Sequence, residues 1–184
     1  MAKLANFVAF QVGWFACVLG AGNGHPLAGT IVALAVMGVH VALARRPRSE
    51  FALLLAAASI GAVWDSLLAA SGWLRYPNGV LLAGTAPYWI VALWALFATT
   101  LNVSLAWLKR RMWVAALFGA IGGPLSFLGG ARLGALVFDN QAAALVALAA
   151  GWALLTPLLL RIAIRLDGSA APVATNLRME SHHA

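Results

Sequence analysis

The feature that most constrains this chain is a series of apolar runs, each about as long as a bilayer is thick. A transmembrane helix needs roughly 20 consecutive apolar residues. Hydrophobic residues make up 63% of the chain and charged residues only 9%, more apolar surface than a soluble domain of this length can bury. The sequence therefore predicts an all-α polytopic transmembrane bundle of about six spans. The runs cover residues 4–20, 27–44, 51–70, 87–108, 112–138 and 141–160.

The boundaries of some runs are clear and others are not. Ser49 and Glu50 are predicted to begin the third helix, as a capping hydroxyl and an acid in the first turn. Asp139-Asn140 is predicted to cap the sixth. The fifth run weakens at Gly122-Gly123-Pro124, and Arg132 interrupts it further on. Residues 124–138 could therefore span, re-enter or lie at the interface, and the pattern leaves these alternatives open.

The orientation follows from the basic residues, which cluster between the runs. Cytoplasmic loops of membrane proteins carry an excess of Lys and Arg. With six spans and an inner N-terminus, only Arg75 and Arg132 fall outside, so both termini are predicted to be cytoplasmic. The same clusters account for the net charge of +7, and no nucleic-acid partner is expected. The predicted inner residues are Lys3, Arg45, Arg46, Arg48, Lys109, Arg110, Arg111, Arg161, Arg165 and Arg178.

Two domains of different character are predicted. Residues 1–166 form the transmembrane bundle, and residues 167–184, which are polar and without periodicity, form a disordered cytoplasmic tail. The bundle contains stripes of small residues at a spacing of four, such as Ala115, Gly119 and Gly123, which let helices approach closely in lipid. Packing within the bundle is the main interpretation of these stripes. Contact with a second copy or a partner membrane protein is an alternative use of the same faces.

Polar side chains inside the runs are the candidates for function, because they are costly at membrane depth. Asp65 lies well inside the third run, on a small-residue stripe with Ala57 and Gly61 that should face other helices. It could be a proton site, a cation or headgroup ligand, or a general acid or base. The structural alternative is an ion pair with Arg132 or Arg75, or solvation near the interface.

The other polar residues are expected at two depths, because a helix rises about 1.5 Å per residue. An acid, a base and aromatic rings near the outer boundary could hold an amphipathic ligand such as a lipid headgroup. An aromatic belt is the structural alternative. The outer group contains Asp65, Ser126, Arg132, Trp73, Tyr88 and Trp89; the inner group contains Asn6, His40, Asn102 and Ser104; Gln11 and Trp14 lie between them.

Known catalytic and cofactor motifs give no further lead. The sequence has no P-loop, no dinucleotide fingerprint and no metal-spaced Cys/His set, so no cofactor or metal is predicted. No nucleophile–base pair can be identified from spacing.

Several motifs carry a resemblance to a known family. They are residues 6–15, Trp64-Asp65-Ser66-Leu67, Gly72-Trp73-Leu74, Pro87-Tyr88-Trp89, residues 97–102 and Gly123-Pro124-Leu125-Ser126-Phe127. Over roughly residues 3–166 the chain resembles the bacterial membrane-protein family catalogued as domain of unknown function 2878. The resemblance implies a multi-pass protein of the bacterial inner membrane. The resemblance also implies that the gene lies near genes for enzymes that modify membrane fatty acids. This association, which is not a mechanism, favours a role in lipid chemistry.

The sequence leaves three functions open. The first is a protein that binds or moves a lipid or other apolar ligand in membrane-lipid metabolism. The second is an intramembrane enzyme or enzyme subunit acting on lipid with Asp65 as acid or base, and the third is a small proton- or cation-coupled transporter. Whether the protein is an enzyme stays open. The predicted ligand-binding residues are Asp65, Gln11, Trp14, Trp89, Asn102, Ser126, Arg132 and Asn6.

Overall fold

The computed structural model describes residues 2–169; Met1 and residues 170–184, most of the predicted tail, lie outside the described residues. The predicted all-α class is confirmed, with six α-helices in the described part of the chain. Five of these, all except α4, are long and apolar enough to cross a membrane. The helices are α1 (Ala2–Gly22), α2 (Pro26–Leu43), α3 (Pro47–Ala70), α4 (Tyr88–Leu101), α5 (Met112–Arg132) and α6 (Gln141–Arg165).

The prediction of one continuous fourth span to Leu108 is wrong. Helix α4 ends at Leu101, and a turn leads into a short 3-10 helix, Ala106–Arg110. The 14 residues of α4 rise only about 21 Å, less than the roughly 30 Å of a hydrocarbon core. The chain turns because Leu105 N–H donates back to Thr100 O at 2.8 Å, while the Asn102 amide donates to Glu50.

The fifth span is simpler than its sequence indicated. Helix α5 passes through Pro124 without a break and ends at Arg132, so residues 124–132 belong to this helix. Beyond it, strand β2 (Val137–Phe138) pairs antiparallel with β1 (Leu74–Arg75). Transmembrane helices tolerate an internal proline because neighbouring groups satisfy the freed backbone.

Two predicted helix starts have different outcomes. The Asn140 side chain accepts a hydrogen bond from Ala143 N at 3.1 Å, so the predicted cap of α6 is confirmed. The predicted start of α3 at Ser49 is wrong, because the helix already begins at Pro47. Proline favours the first helical position, where its missing N–H costs nothing and its φ is already helical.

The basic loops gather at one end of the bundle. Arg46 N donates to Gly168 O at 3.0 Å, and Lys109 pairs with Asp167 at 2.7 Å, which brings the α2–α3 loop and the start of α5 beside the end of α6. Thus Asp167 and Gly168, the first residues of the predicted tail, pack on the bundle. We call this end, where α1, α3 and α5 begin, the basic end.

A stack of two tryptophans joins four helices at the centre. Trp94 of α4 and Trp152 of α6 lie parallel, with ring centroids 4.4 Å apart and an interplanar angle of 13°. Gly61 of α3 packs against Trp94, and Gly123 of α5 packs against Trp152; a Cβ at either glycine would overlap the neighbouring indole. The two small-residue stripes therefore serve close packing, as the main interpretation held.

Candidate functional site

A cavity of about 400 Å³ lies where α1 and α5 flank α4 and α6. We call it the cleft. Its walls are mainly aromatic, and α5 contributes Gly119, Gly122 and Gly123. Gly119 and Gly123 pack closely on α6, whereas Gly122 leaves open space. A Cβ on Gly122 would meet nothing within 4 Å. The aromatic lining residues are Phe7, Phe10, Trp14, Trp89, Trp94, Phe97, Phe118, Phe127 and Trp152.

The cleft is long, and its mouth faces sideways. The α1 residues that line it extend from Phe7 to Val18, about 16 Å along the helix axis, which is close to half of a hydrocarbon core of about 30 Å. Residues at the rim are exposed on the outer surface of the bundle: Phe7 is 46% exposed and Leu125 is 60% exposed. Because α1 and α5 are long and apolar enough to span a membrane, the rim is positioned to meet lipid chains.

Polar groups inside the cleft are of two kinds, and the first is already paired. The Trp14 indole N–H donates to Ser126 Oγ at 3.1 Å and so ties α1 to α5. The Trp89 indole N–H donates to Asn78 O at 3.0 Å.

The second kind has no partner among residues 2–169. Trp152 Nε1 and Thr156 Oγ1 are buried without a hydrogen bond, and the Gln11 side chain also makes none there. An unmet buried donor costs about 1–3 kcal/mol. These atoms are therefore suited to a water molecule or to a polar group of a guest.

Asp65 is next to the cleft but does not line it. It is fully buried, and its two carboxylate oxygens accept hydrogen bonds from Tyr76 Oη at 2.8 Å and from Trp94 Nε1 at 2.6 Å. Burial, together with the negative charge of Asp65, raises the pKa of Tyr76 well above its usual value, so the phenol stays a donor.

The ion pair proposed for Asp65 is therefore wrong. Arg75 instead pairs with Asp139 at 3.0 Å, and Arg132 is exposed and makes no salt bridge within residues 2–169. A buried carboxylate in lipid needs donors, and the loop residue Tyr76 and the core residue Trp94 supply them.

A separate polar cluster lies at the basic end. Glu50 is 1% exposed and accepts from Asn102 Nδ2 at 2.7 Å and from Gly168 N at 3.0 Å. His40 Nε2 lies 3.0 Å from its other carboxylate oxygen. Nearby, Asn6 donates to Thr99 O at 3.1 Å. These bonds join the ends of four helices to the segment after α6.

The structure therefore brings together only part of the predicted set. Gln11, Trp14, Trp89 and Ser126 line the cleft, whereas Asp65, Asn102, Asn6 and Arg132 lie elsewhere. Sequence reasoning missed the cleft residues Trp94, Trp152 and Thr156, and it missed Glu50 as a buried acid. The signal that could have pointed to Trp152 and Thr156 is their spacing of four on a helix otherwise almost free of polar atoms.

Residues 2–169 form six helices, five of them long and apolar enough to span a membrane. Together with an aromatic cleft that opens sideways, they define a polytopic helical membrane protein. The family model described as "Protein of unknown function (DUF2878)" matches residues 3–158. The chain belongs to this family, which confirms the resemblance that the sequence indicated. No curated protein and no solved structure matches the chain.

Proposed function

We propose that this protein binds one lipid by taking a long apolar chain sideways from the bilayer into the cleft. The observation that carries this proposal is an aromatic cavity of about 400 Å³ whose rim residues are exposed on the membrane-facing surface. Cavities of roughly 300–1,000 Å³ with apolar walls and a few polar atoms are typical of small-molecule sites. The bacterial inner membrane as its location and membrane-lipid metabolism as its setting are parts of the same proposal.

The shape of the cleft supports a chain rather than a compact ligand. Its extent of about 16 Å along α1 is close to the thickness of one leaflet. The Trp152 N–H and the Thr156 hydroxyl, which have no partner within residues 2–169, lie deep in the cleft beside glycines of α5. A guest with a hydrogen-bond acceptor at that depth, or an accompanying water, would satisfy them.

The geometry gives less support to chemistry or proton transport through Asp65. Both of its oxygens already accept hydrogen bonds, from Tyr76 Oη and Trp94 Nε1, and the carboxylate is fully buried. A general base must reach the proton that it removes, and Trp94 stands between Asp65 and the cleft. Binding is therefore the function that the arrangement favours.

The test fills the cleft without disturbing the fold. Gly122→Leu places a side chain in open space and improves helix propensity, so the protein should fold and lose its lipid. Gly38→Leu is the matched control, because Gly38 also has nothing within 4 Å of its Cβ position and does not line the cleft. Native mass spectrometry of protein extracted in mild detergent measures the retained lipid.

We expect wild type and Gly38→Leu to retain about one lipid per chain, and Gly122→Leu to lose most of it. Thermal unfolding of the three proteins shows whether each is folded. If wild type carries no lipid, or if folded Gly122→Leu carries as much as wild type, the proposal is wrong.

A further inference from the structure

Two basic residues extend the walls of the cleft at the basic end. On α1, the cleft-lining residues Phe7, Gln11 and Trp14 are spaced by four and three. Lys3 lies four residues before Phe7, towards the basic end. On the other wall, Arg111 directly precedes α5, two helical turns before Phe118. Residues four apart share a helix face, so Lys3 lies on the face of Phe7, and Arg111 is the residue immediately before the first turn of α5. The two bases therefore lie at the basic ends of the two helices that wall the cleft.

Both side chains are available for an anion. Lys3 and Arg111 are exposed, and neither makes a salt bridge within residues 2–169. Lys3 lies four residues below Phe7, about 6 Å along the axis, and Arg111 lies seven residues before Phe118, about 10 Å. Both residues therefore lie beyond the apolar lining, at the depth where the headgroup of a lipid would be if its chain filled the cleft.

The opposite end of the cleft lacks such a pair. Arg132 at the end of α5 is a single exposed base, and the last turn of α1 contains no charged residue. Among residues 2–169, α1 and α5 therefore carry a basic residue on each side of the cleft at the basic end, and one, Arg132, at the opposite end.

We propose that the lipid held in the cleft has an anionic headgroup, such as a phosphate diester or a carboxylate, placed between Lys3 and Arg111. This inference rests on the proposed lipid binding and adds the charge and the direction of the ligand. The guest enters from the leaflet at the basic end, with its chain pointing towards Trp14. Long basic side chains reach anionic headgroups while their stems stay against apolar surface.

The test measures which lipid is retained, rather than whether one is retained. The protein is reconstituted in vesicles of phosphatidylcholine with a minority of phosphatidylglycerol and extracted, and its bound lipid is identified by mass spectrometry. Wild type should enrich phosphatidylglycerol over the vesicle composition. Lys3→Gln/Arg111→Gln should lower that enrichment about thirtyfold while still retaining one lipid per chain.

Two controls separate the cleft from the general charge of the surface. Arg45→Gln/Arg48→Gln removes two exposed charges at the same end, away from the cleft walls, and Arg132→Gln removes the charge at the opposite end. Both should keep the wild-type enrichment. Lipid retained by wild type without enrichment, or enrichment lost equally in either control, would overturn this inference and leave the proposed lipid binding standing. Absence of any lipid would instead refute the proposed function.

Discussion

The hydrogen bond between Tyr76 and Asp65 should be worth a measurable part of the stability of the bundle. Hydrogen bonds to charged groups contribute about 1.5–3 kcal/mol, and this one joins a loop phenol to a fully buried carboxylate at 2.8 Å. Tyr76→Phe removes only the hydroxyl and leaves the ring packed. We therefore expect it to lower the free energy of unfolding by about 1.5–3 kcal/mol.

The same substitution should behave differently once Asp65 is absent. Asp65→Ala leaves two buried donors, Tyr76 Oη and Trp94 Nε1, without an acceptor, at about 1–3 kcal/mol each, so it should cost about 2–6 kcal/mol. In that background Tyr76→Phe removes one unmet donor and should be neutral or stabilising. The double-mutant cycle should therefore give a coupling energy of at least about 1.5–3 kcal/mol.

The assay is reversible unfolding in mixed micelles with increasing denaturing detergent, followed by circular dichroism. Tyr88→Phe is the matched control, because the Tyr88 hydroxyl makes no hydrogen bond within residues 2–169, and it should change stability by less than about 0.5 kcal/mol. A coupling energy below about 0.5 kcal/mol would refute the reasoning. Tyr76 and Asp65 would then be close without stabilising each other.

Two further predictions concern packing and pH. Gly61→Ala should destabilise the protein by about 1–3 kcal/mol, because its Cβ would overlap Trp94. Gly38→Ala is the control; it lies in open space and should stabilise the protein slightly. Equal effects of the two substitutions in the unfolding assay would contradict the stacked core. Burial acts to raise the pKa of the Asp167 carboxyl, but hydrogen bonds from Lys109 and Ser169 outweigh it and lower that pKa. The folded pKa is thus below the unfolded one, so this stabilisation is present above roughly pH 4 and lost as pH falls further; Asp167→Asn should remove that part of the acid sensitivity.

The fold was largely predictable because its main signal is local. The lengths of the apolar runs alone located α1, α2, α3 and α6 to within a few residues. Runs of that length and composition are typical of helices that cross a lipid bilayer. Local chemistry also predicted the Asn140 cap. The end of α4 was not predictable, because it depends on Asn102 reaching Glu50, a residue 52 positions earlier in the chain.

The candidate site was less predictable because it depends on distant pairs. Spacing correctly put Asp65 on a buried face, but its partner Trp94 is on another helix. The cleft lies between glycines of α5 and aromatic residues of α1, α4 and α6, and the bond between Trp14 and Ser126 joins positions 112 apart. A periodicity shows which face of a helix turns inward but not which helix it meets.

The shortness of α4 has a consequence for how the protein is made. A segment of 14 residues is too short to hold itself across a bilayer, and most of its side chains, including Trp94, Leu96 and Leu101, are shielded by other helices. During synthesis, the insertion of α4 therefore depends on α1, α2 and α3, which are already inserted in the membrane next to the translocation channel. The final pair, α5 and α6, would then close over its remaining side, so deletion of α1 and α2 should leave α4 poorly inserted, whereas truncation after residue 111 should not.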